Sequence, residues 1–383
     1  MRVETCRWTP GTGWRTERSS GARRADLVIY FGSHQALRCG ARFAELQAAW
    51  PGARLIGGSA TATILGGDLD EQSVVAVAVS FAQTRTAVAQ WDCVTHADSR
   101  ACGAAVGRRL AAPDLAGVFV LADGRSVNGN SLTAGLNDVL AGACPVTGGM
   151  TSSPSDQPTA LAGAGAPPAP GVVAAVGFYG SAIRLSSGRA CGWDSFGPRR
   201  RITRATGNVL FELDDKPAAE LYERYLGDEI EEDSAAGVIF PLLMSPPDQP
   251  EHAMVRAVLT MDRDSGAMTF AHDVPAGWMA RLMRGNVDRL AMAAADAARQ
   301  ARGGLPDRIA GECLSLMVSC AGRFRLMGQR TVDEIAYARG ELGSDAACLG
   351  FYAFGEIAPA GGSGLAELHN QTMTVAGLAE TEC

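Results

Sequence analysis

The chain has 383 residues, 47% hydrophobic and 20% charged, and a formal net charge of −7. That length exceeds one ordinary core and predicts two domains. The acidic balance argues against nucleic acid as a partner, because phosphates need a cationic surface. No apolar run is long enough to cross a bilayer as a helix.

Residues 1–24 are polar, lack an apolar secretory core and predict a ragged N-terminal arm. The near-continuous apolar run Asp26 to Gly32 predicts a buried strand. Ala36 to Ala49 has helical spacing through Leu37, Phe43 and Leu46, and Pro51-Gly52 stops it. Arg54 to Gly57 completes a β–α–β order, which predicts a sheet with crossover helices. Ser73 to Phe81 and Gly117 to Ala122 predict strands, and Ala101 to Leu110 and Ser131 to Leu140 predict helices. Thr151 to Pro170 is rich in Ser, Pro and Gly and predicts an exposed loop. Val172 to Tyr179 and Ile183 to Ser186 predict a hairpin around Gly180-Ser181.

Lys216 to Leu226 predicts a helix, and the acidic stretch Asp228 to Asp233 a boundary. In the second half, Gly237 to Leu243, Met254 to Met261, Leu314 to Ser319 and Cys348 to Phe354 predict strands. Asn286 to Arg302 and Thr331 to Leu342 predict helices. No short repeat is visible, which excludes a solenoid. The expected architecture is α/β with two domains, each a mixed β-sheet flanked by helices: arm 1–24, N-terminal domain 25–227 and C-terminal domain 228–383.

Ten scattered cysteines without a Cys-x-x-Cys pair make a zinc ribbon or a thioredoxin-like motif unexpected. They predict mostly buried free thiols in a reducing cytoplasm. Arg199, Arg200, Arg201 and Arg204 form a local basic run, either a solvated strand or an anion or partner site.

Several loops carry polar groups that could meet a ligand. Gly57-Gly58-Ser59 follows a strand and could cradle an anion, or be only a tight turn. Asp123 to Asn130 follows another strand, where open α/β sheets place ligands; Asp123 and Asn128 are its candidates, with ordinary turn chemistry as the alternative. Cys320 beside Arg323 could be a reactive thiolate or a buried structural thiol. Of the five histidines (His34, His96, His252, His272 and His369), His369 stands out. It sits in the polar segment Glu367-Leu-His-Asn-Gln-Thr372, where a neighbour could orient its ring as metal ligation requires. No triad or zincin spacing occurs.

These stretches together resemble the FIST family over about residues 26 to 380. Leu55-Ile-Gly-Gly-Ser-Ala-Thr61 is similar to the family's Ile-Gly-Cys-Ser-Thr turn, with Gly58 in place of Cys and Ala60 in place of Thr. Asp123-Gly124, Asn128-Gly129 and Thr147-Gly-Gly149 resemble its next loops. Gly192-Trp193, Phe196-Gly-Pro198, Ile202-Thr-Arg204 and Leu213 to Ala218 resemble the junction between its two regions. Ser319 to Arg323, Gly350 to Pro359 and Leu368-His-Asn-Gln-Thr372 resemble its C-terminal signature, the most specific match.

The resemblance implies a non-enzymatic cytoplasmic sensor for signal transduction. It implies a small-molecule ligand, with haem and nitric oxide sensing as one form. His369 would then be the metal ligand, and a separate partner such as a histidine kinase or a cyclic-di-GMP enzyme would receive the signal. One alternative is a sensor of an amino acid or other polar metabolite; another is an enzyme using Cys320. Across these readings the ligand-binding candidates are Ser59, Asp123, Asn128, Cys320, Arg323, Tyr352, Glu356, His369 and Asn370.

Overall fold

Alternating side chains of the apolar strands leave on opposite faces, so a strand apolar throughout must be covered on both sides. The computed structural model shows how this chain meets that demand. It describes residues 1–19, 21, 24–93, 98–226, 239–343, 346–361 and 363–382. Three six-stranded sheets turn their inner faces toward one core, and helices cover their outer faces.

Ile29, Phe31 and Val77 from the first sheet meet Phe119 and Val176 from the second and Leu316, Val318 and Phe351 from the third. The Phe31 and Phe351 rings stack at 4.3 Å. On the outer faces Val28 and Tyr30 pack with Phe43 and Leu46, and Val118 and Val120 with Val106 and Leu136. Met317 and Tyr352 pack with Ala294, Ala298 and Ile335.

The three sheets are three copies of one unit. In each, a first strand pairs in parallel with a second beyond a helix: Leu27–Gly32 with Arg54–Ser59, Leu115–Asp123 with Val146–Thr151, and Leu314–Cys320 with Ala347–Ala353. A later strand returns antiparallel to the first: Val74–Ser80, Val172–Tyr179 and Met373–Glu380. An earlier strand flanks it: Arg2–Thr9, Arg85–Asp92 and Ile183–Ala190. A fifth strand is exchanged around a ring. Thr63–Leu65 leaves the first unit to pair in the third sheet, Ala162–Ala164 leaves the second to pair in the first, and Gly355–Pro359 leaves the third to pair in the second.

The third unit carries an insertion between its flanking strand and its helix Val287–Gly303. There Trp193–Thr206, Val209–Leu213, Leu242–Ser245, Met254–Arg256, Val258–Asp262, Ala267–Phe270 and Met279–Gly285 build a fourth, antiparallel sheet. The helix Ala218–Leu226 closes its own core through Leu221, Tyr222, Met244 and Phe270.

The α/β class holds, and most strands and helices fall where periodicity places them. Four expectations change. Residues 1–24 are not a ragged arm: Arg2–Thr9 and Gly13–Arg18 form a hairpin whose first strand pairs with Val74–Ser80. The N-terminal ammonium is 3.0 Å from the Glu380 carboxylate. Residues 151–170 are not an exposed loop, since Thr151, Ser152, Ser153 and Ala160 to Ala164 are buried where the chain crosses between sheets. Val172–Tyr179 and Ile183–Ala190 do not pair with each other; each pairs along its length in a different sheet. The spatial division follows the insertion rather than a cut at 227/228, because both halves of the chain contribute strands to the second and third sheets. The acidic stretch 228–233 lies outside the described residues.

Cys93 and Cys102 form a disulfide, whereas seven other cysteines among the described residues are free, including buried Cys6, Cys144, Cys320 and Cys348. No helix among the described residues is long and apolar enough to cross a membrane.

Close approach between sheet strands sets one demand on a single residue. Gly148 has φ of 139°, and a Cβ there would lie 1.9 Å from the Val120 carbonyl oxygen. Gly148→Ala is expected to lower the unfolding free energy by about 2 kcal/mol or more, measured by urea denaturation; an unchanged midpoint would refute the packing shown.

Candidate functional site

Most side chains singled out from the sequence hold the three units together. Ser59 donates to the Ser152 carbonyl oxygen at 2.8 Å and accepts from the Leu161 amide at 2.8 Å. Asp123 accepts from the Arg125 and Gly171 amides, both at 2.8 Å, from the Ala160 amide at 3.3 Å and from the Ser126 hydroxyl at 2.6 Å. Asn128 caps the helix Gly129–Leu140 by accepting from the Ser131 amide at 2.9 Å. The oxygens of all three side chains are thus engaged within the fold.

Arg323 and Tyr352 are likewise committed, and this changes the expectation that they contact a ligand. Arg323 is fully buried and grips Glu334 through two N–H groups at 2.9 and 2.7 Å. Its remaining N–H groups donate to the Cys191 and Leu290 carbonyl oxygens at 2.7 and 2.8 Å. The Tyr352 and Ser319 hydroxyls donate to the other Glu334 oxygen at 2.5 and 2.9 Å. Cys191 precedes the insertion and Leu290 follows it, so one guanidinium ties both roots to the body. Such a buried pair works because each guanidinium nitrogen and both carboxylate oxygens have partners.

Cys320 is not an activated thiolate. Its sulfur caps the helix Ala321–Met327 by accepting from the Gly322 amide at 3.4 Å. Burial, and then the neighbouring Glu356 carboxylate, push the thiol well above its ordinary range. A low-pKa cysteine needs exposure and positive charge, and neither is provided here.

Glu356, His369 and Asn370 are brought together. Gly355–Pro359 pairs with Ala366–His369, which sets Glu356 opposite His369. In every unit a carboxylate receives the amide just before the returning strand. Asp70 takes Ser73 at 2.9 Å, Asp123 takes Gly171 at 2.8 Å, and Glu356 takes Thr372 at 3.0 Å. The third differs in what is left over. Glu356 Oε2 also accepts the Thr372 hydroxyl at 2.7 Å, but buried Oε1 has no partner. Both side-chain polar atoms of Asn370 are also buried and unpartnered. Buried polar atoms are nearly always satisfied, so several left open at one strand end mark a place built for something else.

The insertion adds groups that sequence spacing does not reveal. His272 is buried, its Nε2 has no partner, and that atom would lie 3.2 Å from a Cβ at Gly355. Arg256, 3% exposed, comes from Met254–Arg256, which lies against Ala366–His369. Arg189, at the rim, places Nη1 at 2.6 Å from Nδ1 and 2.8 Å from Nε2 of His369. Glu367 stands beside them, 3.6 Å from Arg189 and 3.7 Å from His369 Nε2. Burial, reinforced by Arg189 and Arg256, holds His369 well below the usual imidazole range. Burial, with Arg256 adding to it, lowers His272 to about 3. Both rings are therefore neutral near pH 7.

Of the other histidines, His34 meets the Thr159 hydroxyl at 3.2 Å, His252 is exposed, and His96 lies outside the described residues. Arg256 had one signal in the sequence: it interrupts the apolar run Met254 to Met261. His272 and Arg189 had none: His272 arrives only with the insertion, and Arg189 only through the pairing of Ile183–Ala190 with Met373–Glu380.

Haem ligation by His369 does not fit this arrangement. An axial ligand needs one ring nitrogen open to iron, and the Arg189 guanidinium stands at both. No group of three or more His, Cys, Asp or Glu side chains converges on a metal position among the described residues.

Burial raises Glu356 from 4.5 to about 8, against the opposing pull of the Thr372 hydrogen bonds. An unfolded glutamate loses its proton near the lower value, and the folded one near the upper. Stability from this group is therefore full below pH about 4.5 and is lost as pH rises through about 8. Glu356→Gln is expected to flatten that fall, measured by thermal unfolding from pH 5 to pH 8.5. An identical slope in both proteins would place the titration elsewhere.

Residues 26–216 match the family model described as FIST N domain, and residues 218–359 match that described as FIST C domain. No curated protein matches the chain.

Proposed function

The chain belongs to the FIST family, whose domains are associated with sensing and signal transduction, and on that premise we propose that it is a cytoplasmic sensor of a small polar molecule. The ligand enters where the inserted sheet closes on the third unit, between Asn370, Glu356, His272 and His369. One observation carries this: Glu356 and Asn370, at the same end of their strand pair, leave buried polar atoms without a partner, as does His272 against Gly355, whereas the corresponding carboxylate of the second unit has every oxygen filled. Binding is proposed rather than catalysis, because Cys320 is buried and held protonated. The signal passes to a partner of the histidine kinase or cyclic-di-GMP enzyme class.

A ligand that binds only the folded state raises its stability, by about 2.7 kcal/mol at a hundredfold excess over Kd. A thermal-shift screen of small polar metabolites is expected to yield at least one that stabilises the wild-type protein. Asn370→Ala should lose that response without a lower midpoint, since it removes an unpartnered amide. A flat screen, or an Asn370→Ala protein that responds fully, would sink the proposal.

The haem form has a separate test. Protein reconstituted with haem is expected to show no Soret band that depends on His369. A band that His369→Ala abolishes would show that Arg189 withdraws and that iron takes its place.

A further inference from the structure

A buried guanidinium is tolerated when its donors and its charge are met. Among the described residues two arginines are buried, and they differ. Arg323 has one carboxylate oxygen of Glu334, which takes two of its N–H groups, and two carbonyl oxygens. Arg256 has only the Asp273 carbonyl oxygen at 3.2 Å and the Val255 carbonyl oxygen at 3.3 Å, and no carboxylate in contact. Burial lowers it to about 10, while Glu367 and Asp273 oppose that from a distance. The neutral rings of His272 and His369 lie in its field, and Arg189 stands against His369 as a second cation. Glu367 is the acidic residue at the mouth, and it is 38% exposed, so solvent weakens its hold.

We infer that Arg256, with Arg189, binds the oxyanion end of the ligand: a small carboxylate or a phosphate, seated against His369 where the inserted sheet meets the third unit. This rests on the ligand-sensor reading and adds the charge of the ligand to it. The planar fork of Arg256 suits two oxygens of one anion. Arg189 is half-exposed and can exchange Glu367 for the entering anion, as a rim group would. Neutral His272 has an unpartnered Nε2 that can donate its N–H, and neutral His369 adds no repulsion among the cations. Because Arg256 comes from the insertion, and Arg189 and His369 from the body, the anion would bridge two parts of the chain.

The test uses the full chain with acetate, succinate and inorganic phosphate as probes, against sodium chloride at equal ionic strength. At least one probe should raise the unfolding midpoint of the wild type, and whether phosphate or the carboxylates do so identifies the anion. Arg256→Met keeps the length of the side chain and removes its charge. It should weaken the probe by at least about thirtyfold and raise the midpoint of the probe-free protein, since an uncompensated buried charge is gone. Arg256→Lys keeps the charge without the fork and should retain weakened binding, which guards against a Met variant that fails to fold. A lower probe-free midpoint in Arg256→Met with an undiminished probe response would overturn the assignment, making Arg256 a structural group. A wild type indifferent to all three anions but stabilised by a neutral metabolite through Asn370 would also overturn it, and would leave the sensor reading intact.

Discussion

The strand Gly355–Pro359 belongs by sequence to the third unit and by hydrogen bonding to the second sheet. Its two neighbours in the ring of exchange, Thr63–Leu65 and Ala162–Ala164, do the same for the other units. A sheet edge left open exposes unpaired backbone groups, and here each unit closes the next one's edge. The units therefore depend on one another to complete their sheets. The exchange also determines where polar chemistry is possible, because the crossing segment must leave one sheet and enter another with its backbone satisfied. Glu356 lies on such a crossing, as do the serines that knit residues 151–164 to the first unit.

Against that near-threefold frame, the third unit alone is interrupted. Its insertion leaves at Cys191 and returns toward Leu290, and Arg323 holds both carbonyl oxygens while Glu334 holds Arg323. The Trp193 indole N–H donates to the Gln371 carbonyl oxygen at 2.9 Å, tying the same root to the turn after Asn370. The insertion is thus anchored at its base, and its far strands bring Arg256 and His272 over His369. A ligand held between Arg256 on one side and His369 and Arg189 on the other would change how these parts sit together. That coupling is what a sensor requires of its structure.

The two buried arginines show how similar burial leads to different roles. Arg323 is surrounded by acceptors and stabilises the fold by leaving none of its nitrogens idle. Arg256 is almost as deeply buried but has two long contacts to carbonyl oxygens. Desolvation costs are similar for both, so the difference lies in what the surroundings return. The same contrast separates Asp123, with both oxygens filled, from Glu356, with one open.

Local pattern determined much of this protein. Continuous apolar runs such as Leu27–Gly32 and Leu314–Cys320 announced strands buried on both faces, and Thr331–Leu342 announced its helix, because periodicity is a property of neighbouring residues. The segment from Gly350 to Thr372 carried the family likeness and three site residues, Glu356, His369 and Asn370. What the sequence could not convey was which strand completes which sheet. Strand exchange pairs residues hundreds of positions apart through backbone groups that every residue possesses. For the same reason Ser59, Asp123, Asn128, Arg323 and Tyr352 looked available in the sequence and are engaged in the fold. Arg256 and His272 became part of a site only when the insertion folded back, and Arg189 only when its strand paired with the last one, since a polar group's role depends on the partners that tertiary structure supplies or withholds.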